Sequence, residues 1–152
     1  MTRSITLVFP GQGSQYVGMA RNFIEEFQQA DKVLGYSLLA MALDGPNDLL
    51  KSTENTQPAI LVHSIGMLKK LKNYLDEKNL KIDLVLGHSV GEYSALVAAG
   101  ALTFNDAIQA VYYRGKFMQE AVPNGKGTMY AILKVPEDII RKACENASDD
   151  NS

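Results

Sequence analysis

The segment Gly87-His88-Ser89-Val90-Gly91 constrains the fold more than any other part of the chain. It matches G-x-S-x-G, a turn between a strand and a helix that holds a serine hydroxyl in an exposed, strained position. Its flanks fit that setting, because the largely apolar residues 82–86 predict a buried strand and residues 90–99 predict a helix that Gly100 ends. The segment therefore predicts a nucleophile elbow.

Each residue of this turn has a predicted role. A side chain two positions before or after Ser89 would collide with the facing backbone, so the tight turn is expected to require Gly87 and Gly91. Ser89 would lie at a helix N-terminus, where free N–H groups and the helix dipole favour negative charge. The N–H of Val90 would point to the place where an oxyanion forms during acyl transfer. The alternative is an ordinary strand, loop and helix with chance glycines.

A second glycine-containing loop, Pro10-Gly11-Gln12-Gly13-Ser14-Gln15, follows the first predicted strand, which is expected to be buried, at residues 5–9. It fits a dinucleotide-binding fingerprint poorly, because Tyr16 stands where the third glycine belongs. Its glycines would instead let the backbone approach a ligand, with the N–H of Gln12 as a second donor to an oxyanion. An ordinary strand-to-helix turn is the alternative for this loop.

The predicted helices place one cation and one histidine among apolar side chains. Arg114 lies, with Phe117, on the apolar side of a helix that Thr103 is expected to cap, and this side is expected to face inward. The spacing leaves two explanations open for Arg114: a salt bridge to an internal carboxylate, or a bidentate grip on the carboxylate of a substrate. His63 is expected to be a hydrogen-bonded core histidine, and His88 to have a structural role beside the strand.

Apolar periodicity and the positions of Gly and Pro predict the other helices and a domain boundary. Residues 18–43 read as helical, and Gly35 is expected to divide them. A further helix is expected to open at residues 55–59, with Thr56 as its cap and Pro58 in its first turn. Its apolar side chains, Met67 among them, are expected to lie on a single face. A break at residues 123–127 predicts a domain boundary, followed by a strand at 129–135 and a helix from Pro136 to near Ala147.

The composition limits the class of protein. With 46% apolar and 21% charged residues, the chain is typical of a soluble globular protein. The formal net charge of −2 gives no indication of nucleic acid or an anionic membrane as a partner. Cys144 is the only cysteine, which excludes an internal disulfide and fits a reducing cytosol. We therefore expect a cytoplasmic protein. No apolar run approaches the ~20 residues of a membrane-spanning helix.

Together these motifs resemble the N-terminal half of the malonyl-CoA:acyl-carrier-protein transacylases and the acyltransferase domains of fatty-acid and polyketide synthases. The resemblance runs from residues 9–15, through Thr56-Gln57-Pro58-Ala59 and the serine motif, to Tyr113-Arg114-Gly115, and weakly into residues 127–132. It implies an α/β fold: an incomplete hydrolase-like parallel-sheet core with a nucleophile elbow at residues 1–124. Residues 125–152 would begin a ferredoxin-like small subdomain, with its first strand at residues 127–135.

The resemblance also implies a reaction. Ser89 would take the malonyl group of malonyl-CoA as an ester and pass it to the phosphopantetheine thiol of acyl carrier protein. The N–H groups of Gln12 and Val90 would bind the oxyanion, and Arg114 would bind the malonyl carboxylate; neither a metal nor a cofactor is implied. Val90 after the serine resembles the malonyl-selective pattern of the family.

One part of the family's machinery has no counterpart in this sequence. Members continue well past this length and take a general-base histidine from the C-terminal half, a position that neither His63 nor His88 matches. Only two strands are predicted for the core, against five or six helices, whereas a stable sheet usually has ~4–6 strands. We therefore expect a piece of a larger protein with little sustained activity alone.

Two alternatives remain open from the sequence. A serine esterase or thioesterase on a related core would send the acyl group to water and would not require a carboxylate-binding arginine. A non-catalytic fragment would bind CoA esters or carrier protein without chemistry.

Overall fold

The computed structural model describes residues 3–122 and 132–148. The chain divides into two units, Met1–Val122 and Pro123–Ser152. Among the described residues, the first unit contains two strands and six helices, and the second contains one helix. In chain order the elements are β1 (Arg3–Phe9), α1 (Ile24–Leu34), α2 (Leu38–Asp44), α3 (Asn47–Lys51), α4 (Thr53–Glu77), β2 (Leu80–Gly87), α5 (Gly91–Ala98), α6 (Phe104–Ala121) and α7 (Glu137–Ala147).

The two predicted strands are confirmed, and they pair in parallel as a two-stranded sheet. Ile5 pairs with Ile82 and Phe9 with Gly87, with one irregularity of register after Ile5. Parallel strands need a long crossover connection, which α1 to α4 supply. The chain is therefore an α/β structure in which the carboxyl ends of both strands, Phe9 and Gly87, lie side by side.

The prediction that both strands are buried is wrong for one face of the sheet. Val8 is 69% exposed, and Leu84 and Leu86 are 50% and 48% exposed. Exposure alternates along both strands, because successive side chains point to opposite faces. Within the described residues, α5 packs against both strands and α4 against β2, and these helices leave one apolar face uncovered.

The helical pattern that starts at Gly18 gives a helix only from Ile24. Residues 17–22 form turns instead, and Gly18 has a φ of 97°, which an α-helix does not contain. The predicted break at Gly35 is confirmed, because its φ of 78° ends α1 before α2 begins at Leu38. The short helix α3 was not predicted.

Helix α4 starts earlier than predicted. Its first residue is Thr53, so Pro58 lies inside the helix, and the hydroxyl of Thr56 donates to the carbonyl oxygen of Leu50 at 2.6 Å instead of capping the helix. Residues 55–62 and 64–66 are buried on all sides, because α1, α3, α5 and α6 pack around them. The predicted single apolar face is therefore wrong here, and Met67, assigned to that face, is 52% exposed.

Helix α6 confirms its predicted cap. The hydroxyl oxygen of Thr103 accepts a hydrogen bond from the N–H of Asp106 at 3.2 Å. The buried side of α6 is formed by Ala107, Ile108, Val111 and Gly115. The predicted inner side is wrong toward the end of the helix, where Phe117 is 61% exposed.

The second unit confirms the predicted helix at Glu137–Ala147, which is α7. The predicted boundary at residues 123–127, and the first part of the predicted strand, lie outside the described residues. Residues 132–135, the part of that strand which is described, form no strand. Among the described helices, none combines the length and the hydrophobicity needed to cross a membrane.

Candidate active site

Ser89 lies in a three-residue turn between the last residue of β2, Gly87, and the first of α5, Gly91. Its φ is 54°, in the left-handed region that residues other than glycine rarely adopt. The residue is exposed, whereas Val90 beside it is fully buried. The local geometry is therefore a strained turn that presents a serine hydroxyl at the start of a helix.

The prediction that this turn requires Gly87 and Gly91 is confirmed. A Cβ on Gly87 would lie 2.1 Å from the carbonyl carbon and oxygen of Gly91, and a Cβ on Gly91 would lie 2.4 Å from the carbonyl oxygen of Phe9. Both neighbours are main-chain atoms, which no change of side-chain rotamer can move. The N–H of His88 also donates to the carbonyl oxygen of Phe9 at 3.0 Å. The turn is thus packed directly on the end of β1.

The loop after β1 lies against the same turn. A Cβ on Gly11 would lie 2.8 Å from the carbonyl oxygen of His88 and 2.5 Å from its ring atom Nδ1. The loop is held by its own side chains, because the Ser14 hydroxyl donates to the Gly11 carbonyl and Gln15 Oε1 accepts from the N–H of Gly13, each at 2.8 Å. Gln12 therefore follows directly after a residue in contact with the serine turn.

The main-chain N–H groups of Gln12 and Val90 have no hydrogen-bond acceptor among residues 3–122 and 132–148. An oxyanion hole requires free N–H donors of this kind. Their assignment to that role stays a prediction.

Arg114 reaches the serine from α6. Its Nη2 donates to Ser89 Oγ at 3.1 Å, and its Nη1 donates to Gln57 Oε1 at 2.7 Å. Within the described residues, no Asp or Glu forms an ion pair with Arg114. The explanation of Arg114 as one half of an internal salt bridge therefore has no support in this part of the chain.

Gln57 is a residue of this site that the sequence analysis did not single out. It is fully buried in α4, and its amide is the only side-chain group besides Ser89 Oγ that hydrogen-bonds Arg114 within the described residues. The signal was present in the motif Thr56-Gln57-Pro58-Ala59, where an amide stands in a helix segment that is otherwise rich in small and apolar residues. A buried amide requires a partner, and that requirement could have identified it.

The two histidines have other partners. His63 Nδ1 lies 2.8 Å from the carbonyl oxygen of Met19, and its ring packs edge-on against Phe23 with the ring centres 4.9 Å apart. This confirms the predicted hydrogen bond, but His63 is only partly buried and is not a core residue. His88 contacts Gly11, as its predicted structural role requires. Neither histidine forms a hydrogen bond with Ser89 in the described structure, which also contains no cluster of three or more His, Cys, Asp or Glu suited to a metal ion.

Comparison with known proteins gives a consistent result. The acyl transferase domain family model matches residues 6–148. The chain is 45% identical over 154 aligned residues to the malonyl CoA-acyl carrier protein transacylase of Haemophilus influenzae, an alignment that covers 97% of this chain and 49% of the relative. The solved structure of the malonyl CoA-acyl carrier protein transacylase of Coxiella burnetii is similar with a TM-score of 0.85 at 43% identity, over 97% of this chain and 48% of that one.

A third similar protein is a malonyl-transacylase solved in complex with a type II PKS acyl-carrier protein, with a TM-score of 0.80 and 43% identity. That match covers 95% of this chain and 48% of the solved one. The chain thus spans about half the length of the relatives it matches.

Proposed function

Because the chain belongs to the acyl transferase domain family, we propose that it is the nucleophile-bearing part of a malonyl-CoA:acyl-carrier-protein transacylase. Its substrates would be malonyl-CoA and the phosphopantetheine thiol of acyl carrier protein, in fatty-acid or polyketide synthesis in the cytoplasm, without a metal or cofactor. The names of the relatives support this reading, and the single observation that carries it for this chain is the 3.1 Å contact between Arg114 Nη2 and Ser89 Oγ.

The proposed first step is acyl transfer to Ser89. Its Oγ attacks the thioester carbonyl carbon of malonyl-CoA, the C–S bond breaks, and the departing thiolate of CoA takes up a proton. A serine hydroxyl needs a base to accept its own proton, and we assign that role to a histidine in the C-terminal half of the complete protein. The N–H groups of Gln12 and Val90 would stabilise the oxyanion of the tetrahedral intermediate. The carrier-protein thiol then attacks the malonyl ester and releases the serine.

Arg114 distinguishes this proposal from a general esterase. The carboxylate of a malonyl group is separated from the carbonyl carbon under attack by one methylene, so a carboxylate receptor must lie next to the nucleophile. A guanidinium offers paired N–H donors that match a carboxylate. Since no described acidic residue neutralises Arg114, its charge is available to the substrate once it leaves Ser89 Oγ. A hydrolase that uses uncharged esters has no need of such a cation.

The structural part of the proposal follows from the same family. We infer that residues 1–124 form the beginning of a hydrolase-like core, with Ser89 on its nucleophile elbow. Residues 125–152 would begin a ferredoxin-like subdomain. The open sheet face at Val8, Leu84 and Leu86 agrees with a core that needs further elements to complete it.

The proposal is tested by intact-mass spectrometry after incubation with malonyl-CoA or acetyl-CoA. We expect a malonyl adduct that maps to Ser89 and disappears in Ser89→Ala, with little steady turnover because the base is not on this chain. Loss of a charge-assisted pair is worth about 1.5–3 kcal/mol, so Arg114→Ala should slow malonylation about 10- to 150-fold more than acetylation.

Three results would contradict the proposal. If Arg114→Ala slowed malonylation and acetylation equally, Arg114 would not recognise the malonyl carboxylate. Release of free malonate without carrier protein would favour a thioesterase. Binding of CoA esters with no adduct on Ser89 would favour a non-catalytic binding fragment.

A further inference from the structure

The amide of Gln57 is held in one orientation by its two partners. The side chain is completely buried, and a buried amide is costly unless it is hydrogen-bonded. Its Oε1 accepts from Arg114 Nη1 at 2.7 Å, while its Nε2 donates to Met118 Sδ at 3.4 Å. A guanidinium can only donate and a thioether sulfur can only accept, so the reversed amide would lose both bonds. The network therefore directs the amide oxygen at Arg114.

That contact fixes the guanidinium without neutralising it. The arginine side chain carries about 2 kcal/mol of rotamer entropy, and one strong bond at Nη1 restricts the directions in which the rest of the fork can point. In the described structure the remaining edge, through Nη2, faces Ser89 Oγ. A carboxylate at position 57 would hold the arginine equally well but would cancel its charge. A neutral acceptor leaves the full positive charge for an anionic ligand.

A close contact between α6 and α4 holds Arg114 next to Gln57. Gly115, which follows Arg114, is buried against the start of α4, and a Cβ there would lie 2.6 Å from the carbonyl oxygen of Thr53. This approach of α6 to α4 brings Arg114 to Gln57 across 57 positions of sequence. The position of the guanidinium thus depends on the packing of two helices and on one buried amide.

We propose that Gln57 is a positioning residue that sets the preference of this site for acyl groups bearing a free carboxylate. It holds the guanidinium of Arg114 in a direction that faces Ser89 and does not neutralise its positive charge. The inference rests on the proposed role of Arg114 as carboxylate receptor. Gln57 forms no hydrogen bond with Ser89 in the described structure; it acts through Arg114. Its loss should therefore reduce discrimination between malonyl and acetyl thioesters more than it reduces binding of the shared CoA portion.

The test measures equilibrium binding of malonyl-CoA and acetyl-CoA to the full chain in a Ser89→Ala background. This background prevents acyl transfer and leaves Gln57 as the only described side chain that hydrogen-bonds Arg114. The readout is the ratio of the two Kd values, because the ligands differ only in the carboxylate. We expect malonyl-CoA to bind at least about tenfold more tightly with Gln57 present, and Gln57→Leu to remove about tenfold of that preference.

Two further variants separate positioning from stability and from charge. Thr56→Val removes a neighbouring buried hydroxyl bond to Leu50 without touching Arg114, so it should reduce the melting temperature but leave the ratio unchanged. Gln57→Glu keeps the size of the side chain and places a negative charge beside Arg114, so it should also remove the preference. If Gln57→Leu does not fold, Gln57→Glu alone tests the inference.

The outcomes are distinguishable. An unchanged ratio in folded Gln57→Leu and Gln57→Glu overturns this inference and leaves the role of Arg114 intact. If the two Kd values are about equal while both Gln57 and Arg114 are present, Arg114 is not a carboxylate receptor, and this inference fails with that role. An equal drop in Thr56→Val would assign the effect to stability alone.

Discussion

Replacing Gly91 by alanine tests whether the turn at Ser89 depends on main-chain contact with β1. A Cβ at this position would lie 2.4 Å from the carbonyl oxygen of Phe9 and 2.7 Å from that of Pro10. The nearer distance is about 1 Å shorter than ordinary van der Waals contact, and both obstacles are backbone. The clash can be relieved only if the end of β1 and the start of α5 move apart. That movement would also separate the loop carrying Gln12 from Ser89.

The expected loss of stability follows from this displacement. Overpacking of a close-packed site costs about 1–3 kcal/mol, and a clash with two backbone oxygens belongs in the upper half of that range. The higher helix propensity of alanine returns at most about 1 kcal/mol, so the net loss is about 1–3 kcal/mol. At about 2–4 °C per kcal/mol for a chain of this size, we expect Gly91→Ala to melt about 2–12 °C below the parent. Thermal unfolding followed by circular dichroism measures this difference.

Gly100→Ala is the matched control at the other end of α5. Gly100 has a φ of 74°, and no described atom lies within 4 Å of the place where its Cβ would stand. Alanine there therefore costs about 1–2 kcal/mol of backbone strain without displacing a neighbour. Both variants should lose comparable stability, but only Gly91→Ala should lose formation of the malonyl adduct on Ser89. A Gly91→Ala protein that melts with the parent, or that is acylated as readily as Gly100→Ala, would refute the close-approach argument.

Two further substitutions test buried polar groups outside the site. Ser94→Ala should raise the melting temperature by about 2–4 °C, because the buried hydroxyl has no hydrogen-bond partner among the described residues and alanine favours the helix; a lower melting temperature would contradict this. Tyr36→Phe should cost about 0.5–1.5 kcal/mol near neutral pH through loss of the 2.9 Å bond to Asn55 Oδ1. Burial first, then nearby charges, raise the pKa of Tyr36 above its ordinary value of 10.0. Above pH ~10 the folded state keeps a proton that the unfolded state releases, so this stabilisation is present below pH ~10 and is lost as the pH rises above it. Urea unfolding at pH 8 and pH 11 should therefore show that the difference in unfolding free energy between the parent and Tyr36→Phe is smaller at pH 11. An equal difference at both pH values would contradict the raised pKa.

The local part of the site was predictable from sequence because its constraints are local. A Cβ at Gly87 or Gly91 would collide with atoms of the same turn or of the adjacent strand end. Ser89 takes its strained φ between a strand and a helix that both have clear apolar patterns. The cap at Thr103 is equally local, since its partner is Asp106. Features that depend on a few consecutive residues can be inferred without knowledge of packing.

Features that depend on the surroundings of an element were predicted less well. The period of apolar residues on α4 predicts one buried face, but the helix runs through the centre of the unit and its first half is buried on every side. The same limit explains the strands. Apolar runs indicate burial on both faces, yet Val8, Leu84 and Leu86 are exposed, because burial depends on which elements are present to cover them.

The placement of Arg114 shows how a local signal can report a distant contact. Periodicity located the arginine on a helix but left its partner open, because that partner lies on another helix. The glycine that follows Arg114 indicates where that partner lies. Gly115 has no space for a Cβ, because the carbonyl oxygen of Thr53 would lie 2.6 Å from it. A glycine inside a helix costs about 1 kcal/mol relative to alanine, so its presence there requires a compensating close approach. That approach brings α6 against the beginning of α4, and Gln57, four residues beyond Thr53, is then the buried polar group within reach of the guanidinium. An arginine followed by a mid-helix glycine therefore predicts both a close helix crossing and the part of the opposing helix in which its partner should be sought.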